Sequence, residues 1–162
     1  MASRRKGRIL AFQALYSWEA LVSIGKSSDN AAGITGSGAS IPEDLLNFSW
    51  LEADKQAALD AETVAFSRLL ITGAVENIVP VDDMIRRHLQ NWDFSRLNRV
   101  DLAVLRLSVY TLMYQSDVSP TIVIDEAIGI AKEFGTEESF RFINGVLDSI
   151  RKTIQSQPAS AP

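Results

Sequence analysis

The sequence predicts an all-α protein, a single-domain helical bundle of about seven helices. Apolar residues recur at spacings of three and four along most of the chain, and no segment shows sustained period-two alternation. Residues 97–115 are apolar nearly all round, as expected of a helix at the centre of a bundle. We expect the domain to cover residues 1–154, with a flexible insertion at about 25–41 and a disordered tail at 155–162.

The first predicted helix covers residues 9–22. Its expected core face consists of Leu10, Ala14, Trp18, Leu21 and Val22. Phe12 and Tyr16 lie along the flank of this face. We assign Phe12 to the core and Tyr16 to a wet edge, because a tyrosine hydroxyl needs a hydrogen-bond partner.

A basic arm precedes this helix. The formal net charge is −4, yet four of the 16 Lys and Arg residues lie in the first eight positions: Arg4, Arg5, Lys6 and Arg8. An isolated basic segment on an acidic chain predicts a polyanionic ligand. Cations that alternate with rings on one helix face can neutralise phosphates and stack bases together.

The insertion at 25–41 is rich in Gly and Ser, and it lacks the strand and the Lys-Ser/Thr ending of a phosphate loop. A short helix at 42–48 follows, and then a longer one at 57–78. Pro80 is expected to end the long helix and to open the next, at 81–92.

Three more helices complete the predicted bundle, at 97–115, 120–134 and 136–154. We expect Thr136 to cap the last of them, which contains Gly145 in its interior. Glycine in a helix interior costs about 1 kcal/mol relative to alanine, so we expect a close helix–helix approach at this position.

The composition argues against an enzyme. The chain has no cysteine and a single histidine, so thiolate sites and multi-histidine metal sites are excluded. Three pairs of adjacent acids are expected in the first turns of helices, where carboxylates stabilise exposed N–H groups: Glu43-Asp44, Asp82-Asp83 and Glu137-Glu138. We expect no cofactor, no metal and no membrane span, and we expect a cytoplasmic location.

Rings and cations meet again near the start of the last helix. Phe140 and Phe142 flank Arg141, and on a helix the two rings point to nearly opposite sides. At most one of them can therefore lie comfortably in a core, and the other must lie near a surface.

Several motifs resemble the NusB family of transcription antitermination factors. They are Gln13-Ala14-Leu15-Tyr16-Ser17-Trp18, Leu105-Arg106-Leu107, Val123-Ile124-Asp125-Glu126-Ala127, Ala131-Lys132-Glu133-Phe134 and Arg141-Phe142-Ile143-Asn144-Gly145-Val146-Leu147-Asp148. They agree in order and spacing over the chain outside residues 25–55 and the C-terminal tail. Gly7 and Ile9 depart from the usual Ala and Glu of the family's basic arm.

The resemblance implies a helical bundle that binds boxA RNA of ribosomal RNA operons together with NusE, a small-subunit ribosomal protein, within the transcription antitermination complex. It assigns to the RNA site Arg4, Arg5, Lys6, Arg8, Gln13, Tyr16, Lys132, Arg141 and Phe142. Glu138 matches an acidic position beside that site, where its charge tempers affinity. His88 and Asp101 match the surface that faces NusE.

Two other interpretations stay open at this point. One is a helical protein–protein adaptor without an RNA role. The other is a stand-alone NusB-like domain related to the N-terminal domains of ribosomal RNA methyltransferases. The sequence also leaves homodimerisation open.

Overall fold

The computed structural model describes residues 3–27, 41–90 and 93–156. In these ranges the secondary structure consists of eight α-helices and one 3₁₀ turn, without a strand, which confirms the all-α prediction. The chain divides into two compact units, Met1–Val79 and Pro80–Pro162. Most of the predicted insertion and most of the predicted tail lie outside the described residues.

The first unit contains α1 (Arg4–Ser27), α2 (Glu43–Leu46), α3 (Ala53–Ala57) and α4 (Ala61–Glu76). Helix α5 (Ile78–Arg87) begins at the boundary. The second unit continues with the 3₁₀ turn Phe94–Arg96, α6 (Arg99–Tyr114), α7 (Pro120–Phe134) and α8 (Ser139–Ser156).

Helix α1 begins five residues earlier than predicted, so the basic arm forms its first turns. Ser3 caps the helix: its Oγ accepts a hydrogen bond from the Lys6 N–H at 3.1 Å, and its carbonyl accepts one from the Gly7 N–H at 3.0 Å. The prediction of a start at residue 9 was wrong because it placed a boundary where the apolar pattern begins. The capping serine was the signal that it missed.

The core of the first unit lies where α1 packs against α4. Phe12 is buried there, as predicted, while Leu21 is 50% exposed and was wrongly assigned to the core. On α4 the buried face is centred on Leu70, Ile71 and Ala74. Neighbouring positions on a helix are turned by about 100°, so the adjacent Leu69 points away from this face and is 56% exposed.

The second unit is built around α6, which packs against α7 and α8. Residues 101–111 are buried without a break, which confirms that this helix is the central one of its unit. Two consecutive acids of α5 behave differently. Asp82 is buried and pairs with Arg106, whereas Asp83 forms an exposed pair with Arg87.

The predicted boundaries around α5 were wrong. Helix α4 ends at Glu76 and α5 begins at Ile78, so Pro80 is the third residue of α5. The Asp82-Asp83 pair therefore lies in the interior of the helix and not in its first turn.

A tight turn joins α7 to α8. The structure confirms α7 at Pro120–Phe134, but α8 begins at Ser139, after a turn in which the Thr136 N–H donates to Ser139 Oγ at 3.1 Å. Glu137 and Glu138 therefore precede the helix. A Cβ atom on Gly135 would lie 2.7 Å from the Ala131 carbonyl oxygen and 2.8 Å from the Ser139 Cβ, so the turn requires glycine.

Gly145 does not serve a close helix–helix approach, and that prediction was wrong. Among the described residues, no heavy atom outside its own helix lies within 4 Å of the position that its Cβ would take.

In the described part of the chain, no single helix has the length and apolar character needed to span a membrane. Only α4 and α5 taken together pass this test, by length and composition.

Candidate nucleic-acid interface

The basic residues of α1 lie in its first two turns, at the N-terminal end of the helix. Arg4, Arg5 and Lys6 are exposed and Arg8 is partly exposed. The helix dipole makes this end positive, so cations there are disfavoured by about 0.3–1 kcal/mol each at low ionic strength. A bound anion relieves that repulsion.

Phe66 of α4 contacts two of these cations. The Arg4 guanidinium carbon lies 4.3 Å from the ring centroid and that of Arg8 lies 5.5 Å from it. Gly7 faces the same ring, and a Cβ atom at this position would lie 2.6 Å from Phe66 Cδ2. The absence of a side chain at Gly7 therefore allows α1 to approach Phe66 closely.

Gln13 and Tyr16 lie further along α1. Tyr16 is 38% exposed, as expected for a residue at a wet edge. Gln13 Oε1 accepts a hydrogen bond of 3.2 Å from the Trp50 indole N–H, and Trp50 packs edge-to-face on Phe48. Sequence reasoning missed Trp50, an exposed aromatic residue that holds one of the predicted RNA-site side chains.

In the second unit, Lys132 and Arg141 meet at the ring of Phe140. The Lys132 Nζ atom is 4.9 Å from the ring centroid, and the Arg141 guanidinium carbon is 5.6 Å from it. These three residues line a groove of about 500 Å³ together with the turn at 135–137. The structure thus brings two predicted RNA-site cations together, around a ring that the prediction had not selected.

Phe142 lines a different cavity, of about 160 Å³. Glu138 and Asp101 line the same cavity, so residues predicted for the RNA site and for the NusE surface share one depression. Phe140 and Phe142 are both partly exposed, so neither is a core residue.

Asp101 is only 7% exposed, although it was predicted for a partner-facing surface. Asn98 caps α6 by accepting the Asp101 N–H at 2.8 Å, and its side-chain amide donates to Asp101 Oδ2 at 3.1 Å. The other oxygen, Oδ1, is buried and accepts no hydrogen bond of ordinary geometry from the described residues. Burial raises the pKa of Asp101, and the neighbouring Ser139 and Asn98 side chains oppose that rise.

His88 joins α5 to α8 within the second unit. Its Nδ1 lies 2.9 Å from the Met84 carbonyl oxygen, which can only accept, so Nδ1 carries a proton. Its Nε2 lies 2.8 Å from Thr153 Oγ1, which donates to it when the ring is neutral. Both ring nitrogens therefore form hydrogen bonds within the protein. A partner could contact His88 only through its partly exposed ring edge.

An all-α chain whose exposed cations lie against aromatic rings belongs to the class of helical proteins with a surface suited to nucleic acids. The chain matches the NusB family over residues 5–152. The Transcription antitermination protein NusB of Treponema denticola is 47% identical over 148 residues, which cover 91% of this chain and 95% of that protein. The protein of the same name from Geobacter sp. (strain M21) is 35% identical over 154 residues, 95% of this chain and 97% of that one. The chain therefore belongs to the NusB family.

Solved structures agree with this assignment. A NusB structure from T. maritima superposes with a TM-score of 0.72 at 34% identity, covering 94% of this chain and 93% of that one. A structure described as antitermination factors NusB and NusE in complex with dsRNA gives a TM-score of 0.71 at 25% identity, covering 93% of this chain and 96% of that one.

Proposed function

We propose that this NusB-family chain is an RNA-binding transcription antitermination factor, which binds boxA RNA of ribosomal RNA operons together with NusE. The observation that carries the proposal is the pairing of cations with rings: Arg4 and Arg8 lie at Phe66, and Lys132 and Arg141 at another phenylalanine. The names of the relatives and the solved assembly of NusB, NusE and dsRNA support it.

Nine residues are proposed to contact RNA. They are Arg4, Arg5, Lys6, Arg8, Gln13, Tyr16, Lys132, Arg141 and Phe142. Arginine and lysine neutralise phosphates, while exposed rings offer faces to unstacked bases, and for this reason we propose single-stranded RNA as the ligand. Glu138, exposed beside Phe142, lowers affinity by repelling phosphate.

NusE is proposed to bind at a surface that includes His88 and Asp101. The protein acts by binding and without catalysis, in the cytoplasm. Its acidic body repels loosely bound polyanions, since the net charge is −4 while four cations are concentrated at one helix end. This charge distribution favours binding of one RNA segment at the basic end of α1 over nonspecific binding of RNA elsewhere on the surface.

The direct test is fluorescence anisotropy with a labelled boxA-type RNA, with and without purified NusE. The proposal predicts binding of the single strand, tighter binding when NusE is present, and weaker binding of a scrambled strand. Association with NusE without any RNA binding, alone or in the complex, would instead favour the adaptor interpretation.

A further inference from the structure

We propose that Phe66 of α4 is a positioning residue for RNA binding: its ring holds Arg4 and Arg8 in the orientation in which they meet phosphates. The inference rests on the proposed function, because it concerns how two of the proposed RNA contacts are presented. It adds a residue of a second helix, remote in sequence from α1, to the RNA-binding device.

The ring is held at a fixed place relative to α1. Gly7 lies against it so closely that a Cβ atom there would be 2.6 Å from Cδ2 and 3.3 Å from Cε2. One turn earlier, the Ser3 N–H donates to Thr63 Oγ1 at 3.2 Å, which ties the cap of α1 to the first turn of α4. The Thr63 N–H in turn donates to the capping carboxylate of Asp60 at 2.7 Å.

The two arginines lie on either side of Gly7 in the sequence and on one face of α1, since residues four apart are neighbours on a helix. An exposed arginine otherwise samples many rotamers, and that freedom is lost when it contacts a phosphate. A guanidinium that already rests on a ring has lost part of this freedom before RNA arrives.

Phe66 is not a fully buried core residue. It is partly exposed and borders an open groove of about 340 Å³, which Arg4 and Leu69 also line. At this edge the ring is accessible to the guanidinium groups of both arginines. Arg5 and Lys6 have no such ring contact among the described residues, so the two pairs of cations have different predicted roles.

The test replaces the ring without removing its apolar volume. In the full chain, with labelled single-stranded boxA-type RNA as the probe, we expect Phe66→Leu to weaken binding about threefold to tenfold, the equivalent of one or two exposed cation–π contacts. Phe66→Tyr keeps the ring and should restore wild-type affinity. Leu21→Ala, at an exposed position of α1 away from the ring, is the matched control and should leave affinity unchanged.

A double-mutant cycle separates positioning from a general structural effect. In a chain that carries Arg4→Gln and Arg8→Gln, the additional Phe66→Leu change should cost almost nothing, because the cations that the ring positions are gone. An equal loss of affinity in both backgrounds would overturn the proposal. So would a loss that follows the melting temperature across the variants, or a Tyr variant as weak as the Leu variant.

The same series distinguishes this inference from the proposed function. If the wild-type chain fails to bind the RNA, both ideas fall, although ring-current shifts of the Arg4 and Arg8 protons would still report the contacts. If the wild type binds and the Arg4→Gln, Arg8→Gln chain binds more weakly, while Phe66→Leu binds like the wild type, only the positioning role is overturned.

Discussion

The carboxylate of Asp82 accepts two hydrogen bonds from the guanidinium of Arg106, each 2.9 Å long, inside the second unit. Both side chains are buried, so the pair joins α5 to the central helix α6 where water does not replace it. The next residue, Asp83, pairs with the exposed Arg87 of its own helix. Two adjacent aspartates therefore have very different expected contributions to stability.

We expect Asp82→Ala to lower the free energy of unfolding by about 3–5 kcal/mol, because it leaves the Arg106 charge buried without its carboxylate. Asp83→Ala should cost about 1 kcal/mol or less, since it removes only an exposed pair. Urea denaturation of both variants measures the difference. Similar losses for the two aspartates would show that the buried pair contributes no more than the exposed one.

Gly135 and Gly145 should respond in opposite directions to alanine. Gly145→Ala places a methyl group in open space within a helix and should raise the free energy of unfolding by about 0.5–1 kcal/mol. Gly135→Ala should lower it, because the new Cβ would lie within 3 Å of Ala131 and Ser139 atoms. Thermal melting of the isolated protein is the measurement. Destabilisation by Gly145→Ala would reveal a contact that the structure does not show.

Asp101→Asn should stabilise the protein at neutral pH, by about 1 kcal/mol for an unsatisfied buried group. Burial raises the pKa of Asp101 in the folded state, so the charged carboxylate destabilises the fold above that pKa. As pH falls through the raised pKa toward the ordinary value of 3.8, the wild type takes up the proton and the penalty disappears. The gain should therefore shrink on acidification. Melting temperatures of both proteins between pH 7 and about pH 4 measure it, and a gain independent of pH would exclude charge burial as its cause.

Phe142→Ala should weaken RNA binding by about 1–3 kcal/mol, the value of a base stacked on an aromatic ring. Its melting temperature should move little, because Phe142 lines an open cavity and is only partly buried. Phe140→Ala is the comparison, and it should weaken binding less, since Phe140 acts through Lys132 and Arg141. A larger effect at Phe140 would assign the stacked base to the groove between those cations.

The helices were largely predictable because their apolar periodicity is strong. The central position of α6 and the bounds of α7 follow directly from residues 97–115 and 120–134. Two of the boundary errors occurred where a side-chain cap, and not the apolar pattern, fixes the start of a helix. Ser3 extends α1 toward the N-terminus, and Asp60 starts α4 later than its apolar residues indicate.

The sequence allowed the cations of the candidate site to be predicted, but not which aromatic rings they contact. Its cations follow from the sequence and from the family resemblance, and their residue-level roles remain predictions. The rings that organise the cations do not follow, because Phe66 is about 60 residues away from Arg4 in the chain and its contact depends on packing of α1 against α4. Gly7 is a local clue to this contact, but Gly145 shows that a glycine inside a helix also occurs where no neighbour among the described residues lies close.

We expect the first turns of α1 to supply electrostatic affinity for RNA. The dependence of RNA affinity on salt concentration measures this contribution most directly. Each phosphate contact on a single strand contributes about −0.7 to the slope of log affinity against log salt, so four cations predict a contribution of roughly −2 to −3. Changing Arg4, Arg5, Lys6 and Arg8 to Gln should flatten the slope by that amount and weaken boxA and scrambled RNA alike. A slope equal to that of the wild type would show that these four cations do not bind phosphates of the RNA.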